Sequence, residues 1–112
     1  MFGFQKLDVY RCSTTFLRHA AALTTRVPRG YSDLADQLRR AALSVPLNIA
    51  EGSCKTGRDA GRFYAIARGS ALECAAIVDS LAALGVMEDA EFEELMGLLD
   101  RIVAMLTVLV RR

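Results

Sequence analysis

Gln37-Leu38-Arg39-Arg40-Ala41-Ala42-Leu43-Ser44-Val45-Pro46-Leu47-Asn48-Ile49-Ala50-Glu51-Gly52 places an aliphatic residue at every third or fourth position. That spacing is helical, and it puts Leu38, Ala41, Val45 and Asn48 on one face, so a carboxamide is aimed where aliphatic packing is expected. Further on, Ile66, Ser70, Glu73 and Ile77 share a helical face, which points a hydroxyl and a carboxylate inward as well. Burying such groups without partners costs roughly 1–3 kcal/mol each. The pattern therefore predicts a structural polar layer of Asn48, Glu51, Arg68, Ser70 and Glu73 joining two neighbouring helices, with Arg39, Arg40 or Arg68 beside the carboxylates. The alternative for Glu51, next to Gly52, is exposure at the end of the bundle. Pro46 lies inside this segment and removes the amide that would bond the Ala42 carbonyl. The apolar phase continues across it, so the expectation is one helix kinked near Ala42–Val45; two helices broken at Val45 are the alternative.

Three more helices follow from the same periodicity. The first is predicted over about Gln5 to Val27, ended by Pro28 and Gly30. Ser32 is the expected N-cap of the second, with Asp33 and Asp36 in its first turn, and Gly52 its C-terminal stop. Thr56-Gly57-Arg58-Asp59 resembles a capping box opening the third, whose inner face reads Phe63, Ile66, Ser70, Ile77, Leu81 and Leu84. Gly85 closes it. The fourth begins at Glu88 or Asp89 and carries Phe92, Leu95, Leu99, Ile102, Leu106 and Leu109. Helices of this length joined by short loops pack as an all-α, antiparallel up-and-down four-helix bundle, a single domain over residues 1–112. Met96, Val103 and Val110 widen the apolar surface of the fourth helix past its seam, and the first helix is similarly wide. Such width predicts a subunit interface, the plainer reading being a generous core.

Composition bounds the function. The chain is 53% hydrophobic with a net charge of +1, so bulk charge does not recruit nucleic acid. The distribution is uneven. Residues 1–72 hold 11 Lys and Arg against 5 Asp and Glu, and residues 73–112 hold 3 against 8. Twelve of the basic residues are Arg, the side chain suited to forked phosphate contacts. Cys12, Cys54 and Cys74 are odd in number and lack CxxC spacing, and no charged-then-apolar leader opens the chain, so a reduced cytoplasmic protein is expected. The longest apolar run, Ile102 to Val110, is far short of a membrane span.

No catalytic set assembles. His19 is the only histidine, and mid-helix it reads as a solvated or packing residue. Three scattered cysteines form no metal pattern, and no cofactor is implied. The Gly and Lys residues after Asn48 lack Walker spacing and a preceding strand. Glu51 and Glu73 as a facing carboxylate pair is the one acid–base or metal possibility, outweighed by pairing with arginine.

Phe4-Gln5-Lys6-Leu7-Asp8-Val9-Tyr10, Gln37-Leu38-Arg39-Arg40-Ala41, Ser44-Val45-Pro46-Leu47-Asn48-Ile49-Ala50-Glu51-Gly52 and Ala67-Arg68-Gly69-Ser70-Ala71-Leu72-Glu73 together resemble the four helix bundle proteins, also known as 23S rRNA intervening-sequence proteins. The resemblance covers essentially the whole chain. It implies a bundle assembled into a ring of five subunits. Some members are encoded in insertions within bacterial large-subunit ribosomal RNA genes, and related bundles serve reverse transcriptases as accessories that contact nucleic acid. The expected partners are therefore further copies of the chain, RNA or DNA, and a reverse transcriptase or RNA-associated protein, with no membrane. Candidate nucleic-acid contacts are Arg11, Arg18, Arg26, Arg29, Arg39, Arg40, Lys55, Arg58 and Arg62. The alternative is a protein-interaction scaffold that binds no nucleic acid, its arginines paired internally.

Overall fold

The computed structural model describes residues 1–112 and contains four α-helices: α1 Asp8–Thr24, α2 Ser32–Ser53, α3 Gly57–Ala83 and α4 Asp89–Val110. A 3₁₀ turn at Gly3–Lys6 precedes α1, and another at Arg29–Tyr31 leads into α2. Helices consecutive in sequence pack on one another and α1 closes the square against α4, with no diagonal packing. Cross-contacts fix the antiparallel sense. Ser44 of α2 meets Ser70 of α3, Arg68 of α3 meets Thr107 of α4, and His19 of α1 meets Glu94 of α4. One end of the bundle therefore gathers the start of α1, the α2–α3 loop and the end of α4.

A cluster of 21 buried residues fills the centre, drawn from all four helices. On α4 the buried positions Leu95, Leu99, Ile102 and Leu106 follow the predicted seam. On α3 the inner face is rotated by about a residue from the expected one: Tyr64, Ala67, Ala71, Cys74, Ile77, Val78 and Leu81 are buried, while Ile66 and Leu84 are 46% and 44% exposed. The reason is size. Small side chains at Ala67 and Ala71 on α3, with Ala41, Ala42 and Gly52 buried on α2, allow close helix approach and richer packing than large aliphatics held further apart.

Helix ends refine the sequence reading. The predicted first helix is the 3₁₀ turn followed by α1, which stops at Thr24 rather than Val27. The first residue of α2 is Ser32 itself, with Tyr31 at the cap, and Thr56 precedes α3 in extended backbone without a side-chain cap bond. Gly85 behaves as expected: its φ is +78°, its N–H bonds the Ala82 carbonyl, and the Val86 N–H bonds that of Leu81. That is the Schellman arrangement, for which a left-handed residue is needed. Gly52 is not a terminator. It is buried inside α2, where an added Cβ would stand 2.8 Å from Cε1 of Tyr64. It is glycine because α3 presses an aromatic ring onto it. Helix α2 runs unbroken through Pro46, so the two-helix alternative does not hold.

Candidate functional site at the basic end of the bundle

The α2–α3 seam holds part of the expected polar layer. Ser44 Oγ and Ser70 Oγ lie 2.8 Å apart, and Asn48 Nδ2 donates to the Ser44 carbonyl at 2.8 Å and to Ser44 Oγ at 3.0 Å. All three side chains are half-buried. Ser44 is the linking residue that periodicity passed over, because it sits beside the aliphatic stripe rather than on it. The remaining predicted members lie elsewhere. Glu51 is exposed and 4.0 Å from Lys55, and Glu73 is exposed. Arg68 turns to the opposite side of α3 and donates from Nε to Thr107 Oγ1 at 2.8 Å, tying α3 to α4 instead of α2. The rotation of α3 explains this, since it moves Glu73 to solvent. With Ser44 level with Ser70, Glu51 and Glu73 stand some ten residues apart along the seam, about 15 Å at helical rise, so they do not face each other as a pair. No three His, Cys, Asp or Glu side chains gather at metal-binding spacing.

The nine candidate basic residues divide between the two ends. Arg11, Lys55, Arg58 and Arg62 lie in the half formed by the start of α1, the α2–α3 loop and the end of α4; Arg18, Arg26, Arg29, Arg39 and Arg40 lie in the other. Several are engaged. Arg26 pairs with Glu91, Arg39 with Asp36 at 2.8 Å, and Lys55 with Glu51. The Arg11 Nε donates to the Gln5 carbonyl at 3.2 Å, and the Arg62 guanidinium lies 5.4 Å from the centre of the Phe63 ring. Arg18, Arg29, Arg40 and Arg58 are exposed and make no ion pair.

Folding collects charge that the linear sequence scatters. The half containing the α2–α3 loop carries Lys6, Arg11, Lys55, Arg58, Arg62, Arg68, Arg111 and Arg112 against Asp8, Glu51 and Asp59. The far half, leaving Asp100 and Arg101 at mid-height aside, carries Arg18, Arg26, Arg29, Arg39 and Arg40 against nine carboxylates. The molecule is thus a charge dipole along its 42 Å axis. Helix dipoles set part of this pattern: α2 and α4 end at the basic pole, where Lys55, Arg111 and Arg112 meet their carbonyl ends, and start at the acidic pole with Asp33, Asp89 and Glu91. The sequence halves pointed to the asymmetry, but the candidate contacts read from the sequence omitted Lys6, Arg68, Arg111 and Arg112.

A cavity of about 880 Å³ opens at this pole, lined by Phe2, Phe4, Leu7, Leu47, Tyr64 and Leu109, with Glu51, Cys54 and Arg112 at its polar margin. The 3₁₀ turn mounts its aromatic wall. The Phe2 amide donates to Gln5 Oε1 at 2.7 Å and the Gln5 amide to the Phe2 carbonyl at 3.2 Å, closing the turn. Phe2 and Phe4 stack with centroids 5.8 Å apart and planes 4° from parallel, and Phe4 meets Tyr10 edge-on at 4.9 Å. Phe2 remains 73% exposed. Burial pushes the Tyr64 phenol above its ordinary value of 10.0, an effect the Arg112 charge opposes, so it stays neutral, a hydrogen-bonding group. Phe4 entered the sequence reading only as part of the family resemblance and not as a site residue, and neither Phe2 nor Tyr64 stood out in the sequence; the one available signal was two aromatics bracketing Gly3 just ahead of the first helix.

Met96, Val103 and Val110, expected at a subunit interface, are half-buried and pack against the chain's own core. The most exposed aliphatics of the helices are Leu43 and Leu47 on α2, Ile66 and Leu72 on α3, and Val108 on α4.

Compared with known proteins, residues 5–108 match the family model described as 23S rRNA-intervening sequence protein. None of the curated proteins matches the chain.

Proposed function

Since the chain belongs to the 23S rRNA-intervening sequence protein family, we propose that it is a non-enzymatic bundle subunit that binds RNA or DNA through its basic pole, as an accessory or scaffold to an RNA-associated or reverse-transcribing partner. The observation that carries this reading is the pole itself: eight Lys and Arg against three carboxylates on one end of a chain whose net charge is only +1. Phosphate binding depends on local cation density rather than on total charge, because each phosphate contact releases condensed counterions. Arg58, Arg111 and Arg112 make no ion pair within the chain, so their forks are available to phosphates.

We further propose a homo-oligomer, with five subunits as the family resemblance implies. It is supported by the exposed Leu43, Leu47 and Ile66 on the outer side of α2 and α3, which leave apolar surface in water unless another copy covers them. Repeating the basic pole around a ring would multiply a modest patch by avidity.

Fluorescence anisotropy with a structured RNA at two salt concentrations tests the nucleic-acid reading. Affinity should fall about linearly on a log–log plot with salt. Arg58→Glu or Arg112→Glu should weaken binding far more than Arg29→Glu at the acidic pole. Absence of binding at low salt would leave the second reading, a protein-interaction scaffold, which the internal pairing of Arg26, Arg39 and Lys55 favours.

A further inference from the structure

We infer that the cavity at the basic pole receives an unpaired base of a single-stranded nucleic acid, with the outer face of Phe2 as its stacking platform; this rests on the nucleic-acid reading above and specifies the form of the ligand. Three independent features converge. First, Phe2 is covered on one face by Phe4 and is otherwise 73% exposed, held by a closed turn that itself packs on α1 and α2. An aromatic ring left in water on a hydrogen-bonded turn is what base stacking uses, and every base has a π-face to offer. Second, the adjoining cavity, about 880 Å³, falls within the roughly 300–1,000 Å³ of small-molecule sites, large enough for a base with its sugar. Its Tyr64 hydroxyl makes no hydrogen bond within the chain and is not wholly enclosed, which leaves a donor and acceptor for a base edge. Third, Arg112 stands at the margin, at the end of the bundle where the other cations of the pole lie, so a strand threading its base inward would lay its phosphates among guanidinium groups. Glu51 is the one carboxylate at the margin, and its charge is offset by Lys55 at 4.0 Å.

A paired duplex cannot use this arrangement. Its bases are stacked on one another, and a cavity walled by helix ends is too narrow for a double helix to enter, so a duplex would touch the outer cations alone. Preference for single strands is therefore the signature, and RNA and DNA share the chemistry.

The experiment uses the full chain with fluorescein-labelled 12-nucleotide single strands of RNA and of DNA, and a fully paired RNA hairpin of the same charge closed by a non-nucleotide linker so that it offers no unpaired base, by anisotropy at 50 mM and 200 mM salt. The expected result is tighter binding of the single strands. Phe2→Ala should weaken single-strand binding about tenfold, since stacking on one aromatic side chain contributes on that order. It should leave hairpin binding and the salt slope unchanged, while Phe2→Trp restores or strengthens single-strand binding. Because Phe2 lies outside the core, these variants keep the fold, which circular dichroism checks. Equal binding of hairpin and single strands, or a Phe2→Ala protein that binds single strands like the original, would overturn the inference while leaving the phosphate-binding pole standing. Failure to bind any of the three at 50 mM salt would overturn both. Comparison of the RNA and DNA arms decides which strand is preferred.

Discussion

At the scale of the residue, two positions show how neighbours set chemistry. Gly52 is buried beneath the Tyr64 ring, with only 2.8 Å available to an added Cβ. Gly52→Ala gains about 1 kcal/mol of helix propensity, yet it must displace a buried ring that also forms a wall of the cavity. A net loss of about 1–2 kcal/mol in urea unfolding is expected, and unchanged stability would show that Tyr64 moves freely. The cysteines differ in the same local way. Cys54 is exposed, whereas Cys12 and Cys74 are buried, and burial, with the charge of Glu73 adding to it, pushes the Cys74 thiol up to about 12 from its ordinary 9.0. In native protein a thiol reagent should therefore label Cys54 quickly, and the other two only on unfolding. The sign of the pH effect follows. The unfolded chain releases the Cys74 proton above about 9 and the folded chain retains it, so stability should fall as pH rises from about 9 to about 12. Thermal melts across that range, compared with Cys74→Ala, isolate the contribution.

At the scale of the element, α2 carries the sharpest conflict between local rule and tertiary demand. Pro46 is buried within a 22-residue helix, and its ring cannot donate to the Ala42 carbonyl. Proline in a helix interior costs about 3 kcal/mol relative to alanine, while deleting its buried ring atoms removes packing worth about 1–2 kcal/mol. Pro46→Ala should therefore leave stability unchanged or raise it by up to about 2 kcal/mol, read from denaturant midpoints. Marked destabilisation would mean that the ring, or the shape it imposes on α2, is required for the fit against the neighbouring helices. The α2–α3 pairing illustrates a second point. Its alanines and Gly52 admit close approach, and Ser44, Asn48 and Ser70 occupy the flank of that contact rather than its centre. Half-buried, these groups set the register at modest energetic risk, since water reaches what the protein leaves unpaired.

At the scale of the whole molecule, the proposed assembly is the decisive test. Light scattering at micromolar concentration should give a mass several times 12.2 kDa. Ile66→Glu, at a position 46% exposed, should shift that mass downward with helix content retained, because the charge lands on the surface without disturbing the core. A wild-type mass equal to one chain would remove the oligomer and leave Leu43, Leu47 and Ile66 for a different partner.

Much of this molecule is legible in the chain itself. The three-four spacing of Leu95, Leu99, Ile102 and Leu106, the breaks at Pro28, before Thr56 and at Gly85, and the lengths between them specify four antiparallel helices, because periodicity and turn chemistry are local properties. The Asn48–Ser70 neighbourhood was legible too, since polar residues interrupt apolar stripes there. The rotation of α3 was not. It depends on how closely two alanine-bearing faces approach, a property of the pair rather than of either helix, and it sends Glu73 to solvent and Arg68 to Thr107. Nor could the sequence place Lys6, Lys55, Arg58 and Arg112 at one pole beside Phe2 and Tyr64, because proximity between residues at opposite ends of the chain arises only when four helices close into a square.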